Sequence, residues 1–235
     1  MRRSLASCTH AFRRGRCTWS TPDDDSLGAS RILLVDEIKK LPLKGGAVAM
    51  IPNRGTLLLA GAKDAKGLAA MATRADDLEG SAHAIHTIPL CLTGNAWREC
   101  VPHVGGDAEQ QLGDLAAKGR EAAYDAISDT YQKELGDDIF VAHVKVISPD
   151  EGASFTIVNW MKDYPSMLPK ADQVAFVLAP DPEHPTVLGL APWDRVMKVV
   201  GPHLKPNGRM PTYWATDGWF PSDAQLKQLA LKPIQ

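Results

Sequence analysis

The sequence predicts an α+β protein built from two related helix–strand–strand–helix units with antiparallel hairpins, joined by a long helix. Gly45 to Thr73 reads as strand, tight turn, strand and helix. A diverged copy of that pattern returns after Leu168, and Asp107 to Leu135 between them is the longest helical stretch. The predicted divisions are a disordered leader over 1–28, a first α/β unit over 29–103, a connecting helix over 104–137 and a second unit over 138–235.

Residues 1–20 hold Arg2, Arg3, Arg13, Arg14 and Arg16 and no acid. Such a start resembles an organelle transit peptide but lacks the apolar stretch of a secretory signal. The simpler expectation is a disordered leader, or a start codon placed too early. Leu34, Val35, Ile38 and Leu41 then have helical spacing, and Pro42 ends that helix. Ala47–Ile51 and Leu57–Leu59 are short apolar runs separated by Pro52-Asn53-Arg54-Gly55, so they are expected to pair as a hairpin. Asp64 is placed to cap a helix with Leu68, Met71, Ala72, Ala75 and Leu78 on one face, and Gly80 to end it. His86–Leu92 and Ala96–Val101 form a second predicted hairpin turning at Gly94-Asn95.

ASRILL, then GGAVAMIPNRGTLLLAG, then a helix, then a hairpin ending NAWREC resembles the C-terminal part of the YtpQ-like bacterial family, domain-of-unknown-function family 1444. The resemblance covers about residues 22–101; the longer N-terminal portion usual in that family is absent, and residues 102–235 are unexplained by it. It implies an architecture and no catalytic residues.

Asp107 with Gln110 makes a capping-box-like start to the long helix, and Gly136 is placed to close it. Leu112, Leu115, Ala116, Ala123, Ile127 and Tyr131 line its apolar face; Gly113 and Gly119 each cost roughly 1 kcal/mol relative to Ala, which suggests a break near 119. Asp114, Glu121, Asp125 and Asp129 read as a solvated face. Alternation predicts one strand over 139–148 and a return strand over Phe155–Met161, paired antiparallel. In the second unit, Leu168-Pro169 and Val174–Leu178 echo Leu41-Pro42 and AVAMI. Thr186-Val187-Leu188 echoes Thr56-Leu57-Leu58, and Asp194 echoes Asp64. A strand near Tyr213-Trp214 and a helix capped by Ser222, with Gln225 three residues on, complete the chain.

Composition sets bounds on partners. The chain has 235 residues, 44% hydrophobic and 23% charged, with a formal net charge of -2. That balance gives no reason to expect nucleic acid, and no apolar run reaches the roughly 20 residues of a membrane helix. A cytoplasmic protein is expected, with an unknown protein or small molecule as partner, no cofactor and no membrane. Cys8, Cys17, Cys91 and Cys100 show no Cys-x-x-Cys spacing. In a two-residue hairpin Cys91 falls opposite Arg98, so four free thiols in a reducing compartment are expected.

Motifs of known chemistry are missing: no Gly-x-Ser-x-Gly, no phosphate loop, no His-Glu-x-x-His and no dinucleotide fingerprint. No catalytic residue can be named. His83 and His86 are metal candidates only if helical, with His103 or His143 as a distant third ligand, and solvated histidines are the simpler reading, so no metal is expected. Most of Trp97, Trp160, Trp193, Trp214 and Trp219 are expected in the core, with Trp219 in a Gly- and Pro-marked surface loop. Asn53, Arg54 and Trp219 are the candidate binding residues, near turns at Pro52–Gly55 and Pro180–Pro185 that would frame a site where the two units meet. Arg54 offers a fixed fork for a carboxylate or phosphate. A non-catalytic binding or interaction module is expected; the alternative is a small-molecule hydrolase of esterase or lactonase type, using a His with Ser or a bound metal.

Overall fold

The computed structural model describes Trp19–Ser20 and residues 28–150, 152–178 and 185–233. These form an α+β protein that divides into two units. The first comprises the described residues up to Gly119 together with Pro149–Ser154, and the second comprises Arg120–Ser148 and the chain from Phe155 onward.

The first unit is one five-stranded antiparallel sheet of order β1-β3-β2-β4-β5. Its strands are β1 (Trp19–Ser20), β2 (Ala47–Asn53), β3 (Thr56–Gly61), β4 (Ala84–Thr93) and β5 (Ala96–Glu99). The expected hairpins are both present, with Asn53 opposite Thr56 and Thr93 opposite Ala96. Gly55 does not use the positive φ that the turn sequence allowed.

β2 and β3 are continuous apolar runs because the sheet is buried on both faces. Val48, Met50, Leu58 and Ala60 pack on helix α2 (Ala65–Asp77) and on Leu112 and Leu115. Ala47, Ala49, Ile51, Leu57 and Leu59 pack on Ile38 and the 3₁₀ turn Ala29–Leu33. Helix α1 is the short Val35–Ile38 segment, and Asp64 caps α2 by accepting from the Gly67 N–H at 3.2 Å.

Three expectations need correction here. Trp19–Ser20, inside the stretch read as a disordered leader, pair with Leu59 and Leu58. The outer edge of β3 would otherwise present unpaired backbone groups. The remainder of that leader, residues 1–18 and 21–27, lies outside the described residues. Second, Cys91 and Cys100 are joined as a disulfide, with Cα atoms 5.7 Å apart. Cys91 does stand opposite Arg98 as the turn length requires. Cys100, two residues further, is its diagonal neighbour on the same face, and strand twist draws one diagonal of each pair together. Third, helix α3 (Gly106–Leu135) runs through Gly113 and Gly119 without a break. Both glycines serve close packing: a Cβ at Gly119 would lie 2.9 Å from Ile88 Cγ1, and one at Gly113 would lie 2.8 Å from the Ala153 Cβ.

The second unit holds two four-stranded sheets, β11-β10-β8-β7 and β12-β13-β9-β6. The predicted strand over 139–148 splits into β6 (Phe140–Val141) and β7 (Val144–Ile147), one in each sheet. β7 pairs antiparallel with β8 (Phe155–Met161) as expected. Two pairings are parallel: β6 with β9 (Ser166–Pro169), and β8 with β10 (Gln173–Leu178). β10 forms an antiparallel pair with β11 (Thr186–Pro192), which leads into α4 (Trp193–Val200). β12 (Lys205–Pro206), β13 (Tyr213–Ala215) and α5 (Asp223–Leu229) follow, α5 opening with the Ser222–Gln225 capping box.

Each unit therefore contains a strand–strand–helix run, but the preceding elements differ: α1 before β2, and strand β9 before β10. Asp194 lies within α4 after its N-cap Pro192, whereas Asp64 is itself the N-cap of α2. Trp160, Phe176, Leu168, Val174 and Val196 form the main core of the second unit, and Trp193 belongs to it. A smaller core joins Tyr124, Tyr131, Val141, Val144 and Tyr213.

The acidic face of α3 is not simply solvated. Asp114 Oδ1 accepts from the Ser154 N–H at 2.7 Å in the first unit, and Glu121 Oε1 accepts from the Val146 N–H at 3.2 Å in the second. Unpaired strand N–H groups need acceptors, and carboxylates supply them.

Candidate functional site

The expected site residues are placed as follows. Asn53 and Arg54 lie on the β2–β3 turn of the first unit, and Trp219 belongs to the second. Asn53 Oδ1 accepts from the Gly55 N–H at 3.1 Å, and its Nδ2 donates to Ser81 Oγ at 3.1 Å, so this side chain braces the turn. The Arg54 backbone bonds on both sides, to the His83 carbonyl and from the Ala29 N–H, while its side chain is exposed. Trp219 is half-buried against Trp160, and His203 stacks on it at 4.0 Å between ring centres. The second turn of the expected site, Pro180–Pro185, lies outside the described residues up to residue 184.

The histidines are dispersed. His83 is exposed, with φ of +60°. His86 sits half-buried on β4, where its Nδ1 accepts from the Ile88 N–H at 3.2 Å. Burial lowers the His86 pKa, against an opposing pull from Glu99. Among the described residues, no three His, Cys, Asp or Glu side chains are arranged to hold a metal. His103 pairs with Glu109 at 2.9 Å, and His143 Nδ1 stands 3.5 Å from Asp125 Oδ1.

Two clefts differ in their chemistry. In the first unit, Ile38, Leu41, Leu43, Ala47 and Leu92 line a hollow of about 380 Å³ whose charged group, Lys39, reaches Asn95. In the second unit, a cleft of about 240 Å³ gathers convergent polar groups. One wall is the last two turns of α3. Ile127, Thr130, Tyr131 and Glu134 follow i, i+3, i+4, i+7, which puts them on one helical face. The other wall is the loop Asn207–Pro211 with Tyr213 of β13.

Asn207 shapes that loop. Its Oδ1 accepts from the Arg209 and Tyr213 N–H groups, each at 3.1 Å, and its Nδ2 donates to Tyr131 Oη at 3.0 Å. Thr212 Oγ1 donates to the Arg209 carbonyl at 3.0 Å, and the Met210–Pro211 peptide is cis. The loop thereby holds the Arg209 guanidinium 4.9 Å over the Tyr131 ring, where it also bonds Glu134 Oε2 at 2.6 Å. That bond first, and the Glu134 charge second, raise the Arg209 pKa.

Tyr213 packs edge-on against Tyr124, with ring centres 5.1 Å apart, and is 1% exposed. Its hydroxyl has no hydrogen-bond partner among the described residues. Burial, then Tyr124, Tyr131 and Asp125, raise its pKa, so it stays protonated at neutral pH.

Chemically, this arrangement can bind and orient a small group. Among the described residues its lining includes no His, Ser or Cys, and its hydroxyls are those of Thr130, Tyr131 and Tyr213. Glu134, Asn207 and Arg209 carry no sequence motif; of this lining the sequence singled out Ile127 and Tyr131, on the apolar face of the long helix, and Tyr213, in a strand. Comparison with known proteins finds no matching family model, no similar curated protein and no matching solved structure.

Proposed function

We propose that this protein is a non-catalytic binding module, with its ligand site in the cleft lined by Tyr131, Glu134, Arg209 and Tyr213. The observation that carries this reading is that polar groups converge in that cleft while every described His–carboxylate pair lies outside both clefts. A binding site needs concavity and a few placed polar groups; a hydrolase needs in addition a nucleophile with its base. Arg54, exposed on its braced turn, is a further contact for an anionic partner.

The family resemblance of residues 22–101 and the kinship of the two units belong to the same proposal, as does a cytoplasmic location in a bacterium, against which the Cys91–Cys100 disulfide counts. The strand–strand–helix run in each unit supports the kinship. No helix among the described residues is long and apolar enough to cross a membrane. One geometry favours the hydrolase reading, the 3.5 Å approach of Asp125 to His143.

A thermal-shift screen of small acids, amines, amides and sugars on the full chain, beside chromogenic ester and lactone assays, tests the choice. A ligand should raise the midpoint of the wild type and not of Ile127→Trp, which fills the cleft, with no ester or lactone turned over. Turnover abolished by His143→Ala would put the hydrolase in its place.

A further inference from the structure

We propose that the second unit's cleft is a site for a small organic cation bearing N–H donors, a guanidinium or primary ammonium group, and that Arg209 is its resident competitor. This rests on the binding reading above and names the ligand class.

The groups in the cleft are those that recognise a cation. Tyr131 offers a π face and Glu134 a carboxylate. Set Arg209 aside and, among the described residues, Glu134 is the one charged side chain in the lining. Arg209 itself demonstrates the geometry, because its guanidinium lies over the Tyr131 ring and bonds Glu134. It does so from a solvent-facing loop: Met210 beside it is 89% exposed. The Arg209 and Glu134 side chains are themselves 58% and 49% exposed, and pairs this open to water are held weakly. A free guanidinium can therefore exchange with the tethered one.

Size narrows the class. At about 240 Å³ the cleft falls below the range of pockets for drug-sized ligands, and it suits a side-chain-sized head group. Donor N–H groups matter as well as charge, because Glu134 Oε2 accepts from the Arg209 guanidinium and a quaternary ammonium has nothing to give it.

If Arg209 occupies the site about four-fifths of the time, removing it should tighten an incoming cation about fivefold. The test is a titration of the full chain with 1-butylguanidinium, followed by NMR shifts or calorimetry. Arg209→Ala should lower Kd about fivefold, and Arg209→Gln, which retains more of the side chain, should do the same. Adding Glu134→Gln to Arg209→Ala should then weaken binding about tenfold, the scale of a lost charge-assisted hydrogen bond. Tetramethylammonium should bind more weakly than 1-butylguanidinium to Arg209→Ala, since it has no N–H for Glu134. An N- and C-blocked arginine binding as well as 1-butylguanidinium would place the source of the cation in a peptide; weaker binding would place it in a free small molecule, and either supports the site. Unchanged or weaker 1-butylguanidinium binding on removal of Arg209 overturns the inference, as does saturable butyrate binding that Arg209→Ala abolishes. Butyrate binding of that kind would leave the binding reading standing with an anion as ligand. If no compound of the screen binds in the cleft, both fall together.

Discussion

Thr56-Leu57-Leu58 and Thr186-Val187-Leu188 are nearly the same tripeptide, each opening the second strand of a hairpin, yet they meet opposite surroundings. Leu57 and Leu58 are 3% and 0% exposed, whereas Val187 and Leu188 are 41% and 38% exposed. The difference lies in what covers each strand. β3 is an interior strand with α2 and α3 residues on one face and the 3₁₀ turn and Ile38 on the other. β11 is an edge strand, and its cover begins only at Gly189, which is buried against Leu231 and Lys232, and continues at Ala191, which joins the core. An apolar run thus marks a strand, but burial belongs to the neighbours that the rest of the chain supplies.

The largest expected effect would break this contrast if it failed. Leu58→Ala should cost about 3 kcal/mol, since it empties space among Val48, Met50, Leu68 and Met71. The matching change, Leu188→Ala, should stay within about 0.5 kcal/mol as at other surface positions. Urea unfolding of both variants checks the pair. Comparable losses would mean that the edge of β11 is covered in solution.

The same contrast explains what could be read in advance. Local signals were legible where a turn or a cap is complete within a few residues: Gly94-Asn95, Asp64 before α2, and Ser222 with Gln225. Long-range partners were not. The turn arithmetic correctly set Cys91 opposite Arg98, but the diagonal approach of Cys100 depends on twist. Gly119 reads as a weak point of a helix, and only the strand that passes it, carrying Thr87 and Ile88, shows why no side chain fits. The split at Ala142-His143 likewise depends on two separate sheets competing for one apolar alternation. The cleft is the extreme case. Glu134 and Arg209 are 75 residues apart, and neither carries a motif.

A second, smaller measurement sharpens the difference between an apolar interior and one built partly from polar groups. The first unit's double-faced core draws on Val, Met, Leu and Ala, which leave no hydroxyl to satisfy. The tyrosine cluster of the second unit does leave one. Removing a buried hydroxyl without a partner restores no lost bond and ends a desolvation cost, so Tyr213→Phe should be neutral or stabilise by up to about 1 kcal/mol. Tyr124→Phe should do the opposite, because Tyr124 Oη donates to the Thr212 carbonyl and accepts from the Lys170 N–H, both at 3.0 Å. Thermal midpoints at one pH rank the two variants. A destabilised Tyr213→Phe would show that its hydroxyl is satisfied in solution.

The smallest expected effect concerns pH and returns to the first unit. His86 is half-buried on β4, with its Nδ1 accepting from the Ile88 N–H. Burial lowers its pKa from the ordinary 6.5, and Glu99 opposes that only in part. The sign follows from linkage: between the lowered folded value and 6.5, the unfolded chain binds the proton more readily than the folded one. The stability that neutral His86 contributes is therefore fully present above 6.5, declines as the pH falls below it, and is gone once the pH passes the folded value. Protonation also turns Nδ1 from acceptor to donor and takes away the partner of the Ile88 N–H. Other charged groups shape the whole pH profile, so the informative quantity is a difference between two proteins. The wild type should lose more of its thermal midpoint from pH 7.5 to 5.5 than His86→Gln, whose side chain carries no titrating proton. Parallel pH profiles would mean that water reaches His86 freely and that β4 is more open along its length than its partly buried residues indicate.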